Sequence, residues 1–283
     1  MSDLTDFNQI IDKYERKIRL AGKQNPVVRH AKSLLSNTKP NPRRFIVIEG
    51  IWAFNMAERA GIRVINFIAA PECIYSPDAL ALAEKFAMLA EDINIVSKKV
   101  FCSLSERDEP DGLMAVCLFP DWSLDSIKTE NAVVMVLDGL EIPGNIGTII
   151  RSADAAAADA IFVCNRKARL TNPKLVKGSM GAIFFKPIIE FETPDECKNY
   201  LMNNNYNIYL TDTRAEKNYK EYDYSGNTAI IIGSERYGIS RGWYDDKVKL
   251  LSVPMLGVCD SLNVAIAATV VLYEARMKKS GKF

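Results

Sequence analysis

Residues 132–151 read Ala132-Val-Val-Met-Val-Leu-Asp-Gly-Leu-Glu-Ile-Pro-Gly-Asn-Ile-Gly-Thr-Ile-Ile-Arg151. The first six form an unbroken apolar run, the pattern of a strand buried on both faces of a sheet. A glycine-containing loop follows, and apolar spacing then predicts a helix running on through 152–158. Strand, loop and helix in that order are the repeating unit of an α/β sheet. Gly139, Gly144 and Gly147 do not have the G-x-G-x-x-G spacing of a dinucleotide site, and no Gly-Lys-[Ser/Thr] completes a phosphate loop. In open α/β sheets, ligands sit beyond the carboxyl ends of the strands. That places Asn145 and Arg151 in a candidate site. If the helix begins near Asn145, both lie on its first two turns. An amide and a guanidinium there would grip a phosphate or a ribose. The plainer alternative is a capping Asn and a surface Arg.

Downstream, strands are expected at 160–163, 183–189, 206–210, 229–232 and 250–253, with helices at 194–203 and 261–277. This is a mostly parallel sheet covered by helices. Two further strand ends carry unusual sequence. Ile232-Gly-Ser-Glu-Arg-Tyr-Gly-Ile239 places Glu235 between two glycines that permit close backbone approach. Val253-Pro-Met-Leu-Gly-Val-Cys-Asp-Ser-Leu-Asn263 runs directly into an apolar helix. Asp260 or Ser261 would cap that helix. Asn263 has no such role if it lies inside the first turn, where Asn is a poor helix former.

Upstream, residues 120–130 are polar and unpatterned, and are expected to be a linker. Before it, strands at 45–50, 64–70, 93–96 and 113–119 alternate with helices at 51–61 and 77–90, the latter capped by Ser76. The expected organisation is a smaller α/β domain over 1–120, a linker over 121–130 and a second α/β domain over 131–283.

The 283 residues carry 36 Lys+Arg against 35 Asp+Glu, but the balance is local. Residues 13–44 hold ten Lys/Arg and one acid, Glu15, a net +9 against −8 for the remainder. Such a segment creates a positive field suited to a phosphate backbone, with Arg29, Lys32, Lys39, Arg43 and Arg44 as candidate RNA contacts. The bland alternative is a solvated helical face. Six scattered cysteines, with no Cys-x-x-Cys, argue against a zinc ribbon or a disulfide scaffold and fit a reducing cytoplasm. The single histidine, His30, excludes His-rich metal sites, so no metal is expected. The polar, acidic opening twelve residues predict no secretory leader. No apolar run approaches the ~18 residues of a membrane span.

The three strand-end segments together resemble the motifs of the SpoU (TrmH-type) RNA ribose methyltransferases, a branch of the SPOUT class. They appear as Asn145-x-Gly147-x-x-x-Arg151, Gly233-x-Glu235-x-x-Gly238 and Val253-Pro-Met-x-Gly257-x-x-Asp260-Ser-Leu-Asn263-Val264. Ser234 stands where Asn is common, and Asp260 where Glu is common. The first half, with Asn25-Pro-Val-Val-Arg-His-Ala-Lys-Ser-Leu-Leu35 and Phe45-Ile-Val-Ile-Glu-Gly50, resembles the ribosomal-protein-like substrate domain often fused to this fold.

The resemblance implies a trefoil-knotted sheet and a homodimer through the C-terminal domain. It implies S-adenosylmethionine held by backbone at Gly233, Val253 and Leu262, with Met255 and Thr211 nearby. The implied activity is 2′-O-methylation of a ribose in structured RNA, most specifically 23S ribosomal RNA. A transfer-RNA methyltransferase, or a non-catalytic RNA-binding or assembly protein on the same fold, are the alternatives. A guanidinium rarely gives up a proton, so Arg151 is expected to hold substrate phosphate or the developing oxyanion. Asn145, Ser261 and Asn263 would orient it, the ribose and the cofactor. Glu235 would organise Arg151 or the arginine of a dimer mate.

Overall fold

The computed structural model describes residues 3–128 and 130–281, with side chains from residue 7 onward. Thr129 of the expected linker and the outermost residues of the two expected domains lie outside the described residues. Two compact units emerge. One comprises the described residues through Pro120 with Thr171–Val176, the other Asp121–Leu170 with the described residues from Lys177.

The first unit has five strands, β1 (Ile18–Leu20), β2 (Phe45–Glu49), β3 (Val64–Ala69), β4 (Asp92–Ile95) and β5 (Leu113–Leu118), in the order β1-β4-β3-β5-β2. The β1–β4 and β4–β3 pairs are parallel, whereas β5 runs antiparallel to both β3 and β2. Its helices are α1 (Asp3–Lys13), α2 (Pro26–Ser36), α3 (Gly50–Arg59), α4 (Pro77–Leu89) and α5 (Lys98–Cys102). Phe54, Phe67 and Phe86 fill the space between α3, β3 and α4, with the Phe54 and Phe86 rings 4.1 Å apart. On the opposite face, Val28 and Ala31 of α2 and Phe101 of α5 pack over Ile68, Met114 and Val116. Ser76 caps α4 as expected, its hydroxyl accepting the Ala79 N–H at 3.1 Å. Asn25 caps α2 in the same way, through the Val27 N–H at 2.8 Å. Sequence patterning predicted neither α1, β1, α2 nor α5. β1 and α5 are three and five residues long, too short to show a period, whereas α1 and α2 do carry apolar residues at helical spacing that the sequence reading passed over.

The second unit is a six-stranded sheet in the order β11-β9-β10-β6-β7-β8, and every neighbouring pair is parallel. Its strands are β6 (Val133–Asp138), β7 (Ala160–Cys164), β8 (Ile188–Phe191), β9 (Tyr206–Thr211), β10 (Asn227–Gly233) and β11 (Lys249–Leu251). The helices are α6 (Pro143–Ala155), α8 (Pro194–Asn203) and α9 (Val264–Ser280), while α7 (Pro173–Gly178) draws residues from both units. All six residues of β6 are buried, as the apolar run predicts for a central strand. Cys197 and Leu201 of α8, with Trp243, pack on one face over Val134, Val136, Phe162 and Ile231. Helix α9 packs on α6, β10 and β6. Among the described residues, no helix is long and apolar enough to cross a membrane.

The structure corrects several boundaries. The strand expected at 183–189 lies at Ile188–Phe191, and Ala182–Phe184 form a 3-10 turn entered through Gly181 at φ 82°. Ile183 and Phe184 are fully buried there, and a short buried apolar run does not by itself distinguish turn from strand. The strand expected at 250–253 ends at Leu251, before Pro254. The C-terminal helix starts at Val264 and is capped by Asn263, not by Asp260 or Ser261. The stretch expected as a linker carries a 3-10 turn, Leu124–Ser126, and sets Trp122, Leu124 and Ile127 against the second unit's core.

Candidate active site

The carboxyl ends of β9, β10 and β6 lie side by side, because Gly233 pairs with Asp138 and Ile231 with Leu210. All three motif segments leave the sheet at this edge or return to it. Helix α6 begins at Pro143, with Ile142 at its N-cap position. Asn145 is therefore inside the first turn and does not cap. Its amide is instead committed sideways. Asn145 Nδ2 donates to Glu235 Oε1, and Asn145 Oδ1 accepts from Asn263 Nδ2 at 3.2 Å. Asn263 spends its own oxygen on the α9 N-terminus, accepting from Ala265 N at 2.9 Å and Ile266 N at 3.4 Å. One residue from each motif is thus joined in a single row of side-chain hydrogen bonds, 90 and 118 positions apart in sequence.

The turn that carries Glu235 is closed on itself. Ser234 and Gly238 exchange backbone hydrogen bonds at 3.0 and 2.9 Å, and Ser234 Oγ accepts the Tyr237 N–H at 3.0 Å. A Cβ on Gly233 would collide with the backbone of Gly238 and Ile239. The turn itself therefore requires the glycine, independently of any ligand. The far end of the turn is tied down by Asp138, a residue the sequence reading passed over. Asp138 is 1% exposed, and its Oδ2 accepts the Ser240 N–H at 2.6 Å. Its signal lies in the opening segment, as an acid placed directly after an apolar run at a strand's carboxyl end.

Arg151 stands apart from this row. Six residues from Asn145 on a helix that starts at Pro143 amount to ~9 Å of rise and about one and two-thirds turns. Arg151 therefore lies on the third turn of α6, not the second. It is exposed, and its side chain makes no hydrogen bond or ion pair among the described residues. Next to it, Ser152 Oγ meets Thr269 Oγ1 at 2.7 Å and joins α6 to α9. Ser261 is exposed and donates to Asp260 Oδ1 at 3.0 Å, away from the row.

The expected cofactor residues fit a nucleoside ligand in one specific respect. Among the described residues, no backbone–backbone hydrogen bond outside helices and strands involves residues 253–262. Most of these residues are exposed, so their main-chain groups face solvent and are open to a ligand. Ten successive residues with unspent main-chain groups, at the edge that carries Thr211 and Gly233, form a surface able to grip a ligand through its backbone. Val253 and Met255 are half-buried, whereas Leu262 is exposed. Thr211 turns its hydroxyl to Ile231 O at 2.9 Å, so it offers a ligand its main chain. Asp212 follows it. Burial would raise the Asp212 carboxyl, but the Arg214 N–H and guanidinium and the Tyr244 hydroxyl, at 3.1 Å, hold it below its ordinary range. The buried thiols of Cys117 and Cys197 are pushed up by burial, and so are poor nucleophiles. Among the described residues, no cluster of His, Cys, Asp and Glu suits a metal ion.

In the first unit the basic segment divides. Lys13 pairs with Glu84 at 2.7 Å, Arg19 with Asp92 at 3.8 Å, and Lys17 donates to the carbonyls of Met88 and Ala90. Arg29 and Lys32, three apart on α2, are exposed, as are Lys39 and Arg43 in the following loop. Arg44 is half-buried, at φ 54°, with its guanidinium 4.7 Å from the Phe119 ring centroid. A small cavity beside Lys39 is lined by His30, Ser33, Asn37 and Asn41. Burial lowers the pKa of His30, which keeps it neutral at physiological pH. The sequence reading also passed over residues 165–181, which hold Arg166, Lys167, Arg169, Lys174 and Lys177 and no acid.

Residues 132–273 match the SpoU rRNA methylase family. That span begins at β6 and takes in every member of the hydrogen-bonded row. The chain belongs to the SpoU rRNA methylase family. Among curated SpoU-type relatives, the 23S rRNA (uridine(2479)-2'-O)-methyltransferase of Streptomyces viridochromogenes is 34% identical over 187 residues, 63% of this chain and 65% of that protein. The 23S rRNA (guanosine(2553)-2'-O)-methyltransferase RlmP of Bacillus subtilis is 31% identical over 185 residues, 64% of this chain and 71% of that protein. The match to the first therefore spans just under two thirds of that protein's length. Among solved structures, the AdoMet-bound rRNA methyltransferase from Sinorhizobium meliloti aligns with a TM-score of 0.81 at 25% identity, over 92% of this chain and 98% of its own.

Proposed function

We propose that this chain is a methyltransferase that uses S-adenosylmethionine to methylate the 2′-hydroxyl of a ribose in RNA, with 23S ribosomal RNA as its substrate. The observation that carries the proposal is the row Glu235–Asn145–Asn263, which links the three motif segments beside the unpaired main chain of residues 253–262. The curated relatives named above act on 23S rRNA, which supports the substrate.

When bound, S-adenosylmethionine supplies an electrophilic methyl group on a sulfonium. Main-chain groups at Gly233, Val253 and Leu262 would hold it, with Met255 and Thr211 beside them. The chain's own task is to align a neutral hydroxyl with that methyl, and alignment alone removes a large part of such a barrier. Asn145 is fixed from both sides, by Glu235 and Asn263, and so presents its amide in one orientation. Glu235 thereby serves to position Asn145. Arg151, exposed and unpaired among the described residues, is available to hold a substrate phosphate or the oxyanion as it develops. Arg29, Lys32, Lys39, Arg43 and Arg44 would track the RNA backbone.

Two structural expectations belong to the same reading. A trefoil knot is supported by the seating of β10 between β9 and β6 with α9 returning over β6 and β10. A homodimer through the C-terminal domain is supported by Leu256, Val258, Leu262 and Ile266, which are exposed along the final loop and α9. A ribosomal RNA substrate implies a cytoplasmic location.

The deciding experiment maps ribose methylation by mass spectrometry on ribosomal and transfer RNA from cells with and without the protein. One missing 2′-O-methyl in 23S rRNA is the expected result. A site lost from transfer RNA instead would redirect the substrate. Identical maps in both RNA classes would sink the proposal.

A further inference from the structure

The turn that carries Glu235 also presents two side chains for which the fold has no use. Tyr237 is 69% exposed, the most exposed aromatic side chain among the described residues. Arg236, also exposed, sets its guanidinium 5.1 Å from the centroid of the Tyr237 ring. The backbone beneath them is braced at both ends, by the mutual Ser234–Gly238 hydrogen bonds and by the buried Asp138 on Ser240. By contrast Tyr244, 39% exposed, spends its hydroxyl on Asp212. Small polar residues and glycine usually fill such a tight turn. A tyrosine and an arginine immediately after Glu235 are therefore placed by something other than turn geometry.

A tyrosine ring on a rigid turn offers a flat stacking face that loses little conformational freedom on binding. RNA is read largely through unstacked bases laid on aromatic or guanidinium planes, and every base has such a face. A guanidinium beside the ring adds two donors matched to a phosphate. We propose that a base of the substrate RNA stacks on Tyr237 while Arg236 holds a neighbouring phosphate. The pair thus adds binding energy for the RNA beside the row without itself aligning the reacting ribose. This rests on the methyl-transfer reading above. It adds an RNA-binding element on the second unit, separate from the basic segment of the first unit.

The test uses the full chain, tritiated S-adenosylmethionine and deproteinised 23S rRNA. Tyr237→Ala should raise the KM for RNA roughly 10-fold or more. Its kcat at saturating RNA should stay within about 3-fold of the parent, with calorimetric cofactor affinity and oligomeric state unchanged. Tyr237→Phe, which keeps the ring, should restore the parent KM. Arg236→Gln should weaken RNA binding and reduce its salt slope by about one. A Tyr237→Ala protein with the parent KM overturns the inference and leaves the methyltransferase reading intact. A changed oligomeric state or lost cofactor binding would assign Tyr237 to the interface or the turn, and also overturns it. If the parent chain transfers no label to the RNA, both readings fall together.

Discussion

Asn263 does two things at once, and they can be separated. Its oxygen caps α9, and its amide donates to Asn145. Asn263→Asp keeps an oxygen for the cap but loses the donor. Asn263→Ala loses both, at a cost of about 1 kcal/mol for the cap. The Asp protein should melt close to the parent yet transfer methyl roughly 10-fold more slowly, the scale of one lost hydrogen bond. If the Asp protein is as fast as the parent, the row is structural only. Arg151 is a different case, because no partner in the described structure holds it. Arg151→Lys keeps the charge but loses the planar fork. Single-turnover transfer at saturating RNA and cofactor should fall by roughly 100-fold or more, with cofactor affinity unchanged. Near-normal transfer would restore the surface-arginine reading that the sequence left open.

At the scale of elements, the turn between β10 and the following loop shows what glycine is for. Gly233 has no room for a Cβ, whereas Gly238 has open space but sits at φ 67°. Gly233→Ala should therefore cost more than Gly238→Ala. The expectation is about 1–3 kcal/mol of overpacking for the first and about 1–2 kcal/mol of left-handed strain for the second. Only the first should also open the Ser234–Gly238 closure and lower calorimetric affinity for S-adenosylmethionine. Equal losses of Tm and of affinity in the two variants would refute that account. The sequence marked both glycines as permissive, but it could not say whether ligand or turn demanded the first. The atoms that decide it lie five and six residues further on.

For the whole molecule, the basic segment is a matter of distribution. Its ten cations were counted as one patch, but the structure assigns Lys13, Lys17 and Arg19 to partners on α4, the loop that follows it and β4. Those are stability contacts of modest worth, since they are exposed. Changing Lys39, Arg43 and Arg44 together to Gln should weaken RNA binding and flatten its salt dependence, while cofactor affinity stays the same. The same treatment of Lys13 and Arg19 should barely move the salt slope. A filter-binding salt titration of both variants decides this. If the Lys39/Arg43/Arg44 variant binds RNA with the parent's affinity and slope, the segment is a solvated face.

Much of the second unit was legible in the sequence. The run 132–137 specified a central strand because continuous burial demands continuous apolarity, and every neighbouring strand in its sheet proved parallel. The motif residues were also named in advance, since unusual residues at strand ends are visible without coordinates. Which of them meet was not legible. Asn145 reads as a cap and is not one; Asn263 reads as a helix misfit and is the cap. Asp138 reads as a loop acid, yet it is buried and holds the turn that carries Glu235. These are contacts between segments about 90 to 120 residues apart, and their geometry depends on helix start points that patterning places only to within a few residues. Local periodicity selects strands and helices because burial repeats along the chain. The partners of a polar side chain are decided by which strand ends the finished sheet sets side by side.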